Sequence, residues 1–118
     1  MYATITIGNK EVPMLSMASC DLYYKNVFGQ DPIKLQAKED FGVADMVELF
    51  TRMGFIMAKY AELKNRKEML KLNEDAFYDW MDSFDREDLV DFDKLAEIRD
   101  VYDGNRKQES EPKKEEDQ

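Results

Sequence analysis

A mainly α-helical domain that opens with a β-hairpin is the fold class this sequence predicts, and three observations carry it. Residues Tyr2 to Met14 are rich in β-branched side chains on either side of a Gly-Asn pair. Beyond them, apolar residues recur at spacings of three and four, the period of a helix buried on one face. The chain has 118 residues, 43% of them hydrophobic, which suits one domain whose core needs neither metal nor disulfide. The expected organisation is a single helical domain over residues 1–104, with the hairpin (2–14) packed on a small bundle of about four helices. A disordered, charged tail over 105–118 follows it.

In the hairpin, Thr4, Ile5, Thr6 and Ile7 favour a strand, Gly8-Asn9 supplies a tight turn, and Lys10-Glu11-Val12 returns. Pro13 lacks a backbone donor, so it must end the second strand or sit on an edge. A lone hairpin is barely stable in water, so this one should pack on the helices. Ser16 or Ser19 can cap a short helix running to Phe28, and Gly29 is placed to stop it. Asp31-Pro32 starts another turn, with proline at a first helical position. The main helix is expected from about Val43 to Asn65. On it Met46, Phe50, Met53, Met57 and Tyr60 form a narrow stripe, which Leu49, Ile56 and Ala61 widen to a core face.

Phe55 departs from that stripe. At 100° per residue it sits opposite Met46, among Glu48, Thr51, Lys59 and Glu62. Either the helix is covered on two sides or Phe55 is an exposed anchor for a partner. Residues Arg66 to Leu72 form a basic connection with partial helix character. Asn73 can then cap a helix carrying Phe77, Trp80, Met81 and Phe84 on one face. A last helical stretch from Arg86 to Asp103 shifts its apolar phase near Asp91, which predicts a break there, and Gly104 ends it. From Asn105 to Gln118 no apolar side chain occurs except one proline, so that segment should be disordered.

The chemistry of catalysis is hard to find. The chain contains no histidine, which removes Ser-His and Cys-His nucleophiles and the commonest transition-metal ligand. Cys20 is the single cysteine, so it forms no internal disulfide, and a reducing compartment is the simple expectation. Asp21 beside it would raise its thiol pKa, so a structural role is expected. No phosphate-cradling glycine loop appears, and the acids from Asp79 to Asp93 lack the alternation and glycine of an EF-hand. No enzyme activity, cofactor or metal is expected.

The formal net charge is −9, which weighs against binding nucleic acid. Acids outnumber bases twelve to three over residues 74–103, and bases outnumber acids six to two over residues 52–71. The two blocks could face each other, within the fold or between copies, or be two solvated helix faces. The N-terminus has neither a basic leader nor an apolar run, so no secretory signal is expected, and no stretch is long enough to span a bilayer. Eight methionines offer either core packing or an adaptable binding surface. Protein–protein binding in the cytoplasm is the expected work. The candidate partner contacts are Phe55, Met46, Met53 and Met57, while Tyr24, Phe28, Gly29, Trp80 and Phe84 are read as structural.

Four stretches, taken in order, resemble the tail assembly chaperones of long-tailed (siphovirus-type) phages and prophages of Gram-positive bacteria. They are Ile7-Gly8-Asn9-Lys10-Glu11-Val12-Pro13; Tyr24 followed by Phe28-Gly29-Gln30-Asp31; Ile56-Met57-Ala58-Lys59; and Trp80-Met81-Asp82-Ser83-Phe84. The resemblance spans residues 5 to 102. It departs from the family at Cys20-Asp21-Leu22-Tyr23-Tyr24, where a basic Pro-Arg-x-Tyr before the Phe-Gly is common, and at Val101-Tyr102, where the final helix often ends near a Trp. It implies a protein that binds and solubilises the tape measure protein in the host bacterial cytoplasm, helps recruit tail tube protein, and is not retained in the virion. It also implies a longer frameshifted form, for which Lys113-Lys114 could provide the slippery codons, and it leaves room for self-association. The other readings are an acidic DNA mimic that inhibits a DNA-binding protein, built on residues 74–103, and a helical module with an unrelated partner.

Overall fold

The structure, a computed structural model, describes residues 1–105 and 109–111. Two strands, β1 (Tyr2–Ile7) and β2 (Lys10–Leu15), form an antiparallel hairpin. Seven helices follow among the described residues: α1 (Cys20–Phe28), α2 (Pro32–Gln36), α3 (Val43–Leu63), α4 (Arg66–Met69), α5 (Glu74–Met81), α6 (Arg86–Leu89) and α7 (Phe92–Asp103). The bundle of about four helices corresponds to α1, α3, α5 and α7, and the other three are single turns of four or five residues. No helix among the described residues is long and apolar enough to cross a membrane.

The hairpin register follows from its turn. Ile7 pairs with Lys10, so Gly8 and Asn9 form a two-residue loop, and Gly8 takes φ 63° there. Glycine at the first central position is what a type II′ turn demands. A side chain at Gly8 would also strike Asp88, whose Oδ2 lies 2.6 Å from where a Cβ would stand. Ala3, Ile5 and Ile7 alternate inward and are buried, as is Met14 across the ladder. Pro13 lies inside β2 rather than at its end, opposite Thr4. The Thr4 N–H points away from β2, so this is a non-hydrogen-bonded pair and the missing proline donor removes no rung of the ladder.

Helix boundaries fall where local chemistry places them. Asp31, Asn65, Asn73 and Asp91 cap α2, α4, α5 and α7, each accepting from a backbone N–H of the first turn. Asp91 is the break foreseen between α6 and α7. Gly29 and Gly104 stop α1 and α7 in the left-handed conformation. Ser19 stands at the start of α1, but its side chain makes no capping bond. The Ser16 hydroxyl instead donates to the Tyr102 carbonyl, tying the end of the hairpin to α7.

α3 is the axis of the molecule, buried all round from Leu49 to Ala58 except at Arg52. One side receives the hairpin and α7, and at Gly54 a Cβ would lie 3.3 Å from Ile98 Cδ1 and 3.6 Å from Met14 Cε. The other side receives α1 and α5 through rings. Phe55 meets Phe28, Phe77 and Trp80 edge-on, with centroids 6.4, 5.5 and 5.9 Å away.

Of the tail expected to be disordered, residues 106–108 and 112–118 lie outside the described residues. The expected run at Lys113-Lys114 falls among them. Glu109 and Glu111 are described, and both touch the folded domain, as set out below.

Candidate functional site

The residues that carry the family resemblance are brought together by the fold. The second stretch is a hinge between α1 and α2. Phe28 ends α1, Gly29 turns the chain, Gln30 accepts a hydrogen bond from Arg52 Nη1 at 2.9 Å, and Asp31 caps α2. The Arg52 guanidinium stacks 4.7 Å above the Phe28 ring and pairs with Glu48 one turn back on α3. Tyr24 beneath it is fully buried, and burial raises its phenol pKa, an effect Arg52 partly offsets. Its hydroxyl has no hydrogen-bond partner among the described residues. Tyr24 and Phe28 pack in the core and Gly29 turns the chain.

The first and last stretches meet at the hairpin turn. Lys10 Nζ lies 5.1 Å over the Phe84 ring and donates to the Ser83 carbonyl. That contact stations the α5–α6 turn against the hairpin. One turn earlier, Trp80 lies edge-on to Phe84, with centroids 5.1 Å apart. It is half-buried, with Phe55 behind it and open space in front.

That open space is a groove of about 680 Å³ between β2, the C-terminal half of α3 and Trp80. Val12, Pro13, Ala58, Ala61 and Trp80 give it apolar walls, and Lys10, Glu11, Glu62 and Lys64 stand at its rim. Three of the four stretches that carry the resemblance thus contribute to one concave surface. Lys64 closes α3 with φ 47°, the one non-glycine residue with positive φ among the described residues.

The partner contacts expected from sequence are not found there. Phe55, Met53 and Met57 are each fully buried and offer no surface to a partner. Phe55 is the hub of the aromatic side, and Met53 and Met57 fill the core. α3 is covered on two sides, so a stripe that would be exposed on a peripheral helix is interior here. Met46 is half-buried and packs against the core edge. The idea of a methionine-lined groove also fails: Met14, Met53, Met57 and Met69 are buried, and no methionine lines the groove. The signal that could have located it was the coincidence of Val12-Pro13, Ala58 and Trp80 among the resembling stretches.

Other candidate groups resolve as structural. Cys20 is buried, its thiol donates to the Leu15 carbonyl at 3.5 Å, and burial pushes its pKa up to about 11, with Asp21 adding to the rise. Tyr102 donates to Asp21 at 2.6 Å and accepts from Gln36, and burial followed by that carboxylate raises its pKa. The basic stretch makes ion pairs with Glu48, Glu62, Glu68 and Glu111, none of which belongs to the acidic stretch 74–103. Glu74, Asp75, Asp79, Asp82, Asp85, Glu87, Asp91 and Asp93 are exposed. Within the fold the two blocks are not each other's partners among the described residues.

No family model matches the chain, and neither a curated protein nor a solved structure matches it.

Proposed function

We propose that this protein is a phage tail assembly chaperone: a cytoplasmic, non-enzymatic protein that binds and solubilises the tape measure protein and helps recruit tail tube subunits, without remaining in the virion. The observation that carries the reading is the groove, since Lys10, Glu11, Val12, Pro13, Ala58 and Trp80 all come from stretches that resemble that family. Apolar walls with charges of both signs at the rim suit the apolar face of a helix flanked by polar residues. Each well-buried apolar side chain contributes roughly 1.5–3 kcal/mol before the costs of binding are subtracted. One groove therefore holds one short segment weakly. Many copies along a long helical filament would hold it firmly, yet each could leave when tube subunits arrive. The net charge of −9 would keep the loaded assembly soluble. The contact with tube protein belongs to a longer form of the chain, if its message carries the slippery adenine run.

The test is co-expression with the product of a tape measure gene. Fragments of that product that precipitate alone should stay soluble and co-purify with this protein. Ala61→Glu, which places a charge on the groove wall, should abolish the rescue. The reading fails if no fragment is retained, or if the groove variant rescues as well as the parent. A basic DNA-binding protein assayed in parallel would reveal a DNA mimic, because its binding would ignore Ala61→Glu and depend on the acids of α5 to α7.

A further inference from the structure

β1 is an edge strand on the side away from β2, and that side has an occupant. The Glu109 N–H donates to the Tyr2 carbonyl at 2.9 Å, and the Thr4 N–H donates to the Glu109 carboxylate at 3.1 Å. Tyr2 and Thr4 alternate with the residues that bond β2, so these are the outward-facing polar groups of the ladder. A single glutamate thus supplies both a backbone donor and a side-chain acceptor to the sheet edge. Two residues later, Glu111 pairs with Lys64. Tyr2 and Lys64 both line the groove, so residues 109–111 pass from the sheet edge to the groove mouth. The chain leaves α7 at Gly104, where the Asn105 N–H closes on the Asp100 carbonyl.

We propose that the β1 edge and the groove mouth together form a docking site for an extended acidic segment, that the chain's own residues 109–111 are its occupant, and that they leave it when a partner's apolar helix enters the groove. Charge explains why the two glutamates of residues 109–111 return to an acidic protein. Lys10 and Lys64 are both at the rim, and Glu111 finds Lys64 there. The Tyr2 carbonyl takes a backbone donor and the Thr4 N–H takes a carboxylate, so the edge selects an extended segment with an acid at that position. Each hydrogen bond has a modest net value, so the tail holds weakly enough to be displaced.

The site bears on partner binding only insofar as the groove is the binding surface proposed above, but its occupancy can be measured without any partner. Trp80, the single tryptophan, lines the groove, and the Thr4 amide lies under Glu109. In the full chain, Glu109→Pro removes both the donor and the carboxylate while leaving every helix and strand intact. Acrylamide quenching of Trp80 should rise, and exchange of the Thr4 amide should quicken by roughly five- to thirty-fold, the range one or two net hydrogen bonds correspond to. A chain ending at Gly104 keeps all nine elements and should show the same two changes, reversed on adding a peptide of residues 105–118. The same peptide with Glu109→Pro should not reverse them. Unchanged quenching and exchange in both variants would overturn the proposal, as would a peptide that fails to restore them. If the docking readouts behave as expected but no tape measure fragment binds either form, the chaperone reading falls and the docking site stands.

Discussion

The two sides of α3 are built on different principles, although Gly54 and Phe55 that face them are neighbours in sequence. Towards the hairpin and α7 the helix presents a glycine, and aliphatic side chains from Met14 and Ile98 come up against its backbone. Towards α1 and α5 it presents a phenylalanine that meets three other rings. The first side gains its stability from close approach, the second from large rings set edge to face. Close approach leaves no room to spare. The aromatic side is different, because its outermost ring, Trp80, is half-buried and forms the wall of a groove. The difference teaches that a concave surface forms where the core is completed by a ring that itself stays partly wet.

The comparison is most severely tested at its aromatic hub. Phe55→Ala should cost about 3–5 kcal/mol, since a buried ring is lost from a packed cluster. Urea unfolding would measure it, and a loss under about 1 kcal/mol would show that the three other rings do not depend on Phe55. The glycine side should fail in the opposite way, by overpacking. Gly54→Leu should destabilise by about 2 kcal/mol, because Ile98 and Met14 already occupy the space its side chain needs. A variant as stable as the parent would mean that α7 can move away from α3 freely.

Alkaline titration probes both sides, since Cys20 and Tyr24 lie on α1 and Tyr102 lies on α7. Cys20 has its folded pKa raised from 9.0 to about 11, and those of Tyr24 and Tyr102 are raised as well. A group whose pKa is higher folded than unfolded contributes stability that is complete below its unfolded value and lost as pH rises towards the folded one. The melting temperature should hold steady up to about pH 8.5 and then fall. Cys20→Ala should flatten the part of that fall between 9.0 and about 11, and an unchanged slope would assign it to the tyrosines. The smallest effect on stability belongs to the groove. Ala61→Glu should alter it by no more than about 0.5 kcal/mol, because Ala61 is half-exposed on a helix that tolerates glutamate. A larger loss would mean that the groove is part of the core.

Much of this architecture was legible in the sequence because its causes are local. Gly8-Asn9 fixes the hairpin loop, and Gly29 and Gly104 stop their helices by accepting a left-handed backbone. Asn73 and Asp91 start theirs by accepting a backbone N–H within three residues. The phase shift near Asp91 marked the break between α6 and α7 without reference to anything distant. A turn or a cap involves a handful of consecutive residues, so the chain itself carries the information.

What surrounds α3 was decided by tertiary structure alone. Periodicity finds an apolar stripe but does not say how many neighbours a helix has, and α3 has them on both sides. Phe55 lay off the stripe, so its burial depended on α1 and α5 arriving from positions more than twenty residues away in either direction along the helix wheel's blind side. Met53 and Met57, adaptable in composition, became interior for the same reason. The groove is the extreme case. Val12, Ala58 and Trp80 lie far apart in the sequence, and they form one concave wall where Lys10 holds the α5–α6 turn against the hairpin. Local chemistry determined the elements of this protein, and packing between distant segments determined which of its apolar residues face water.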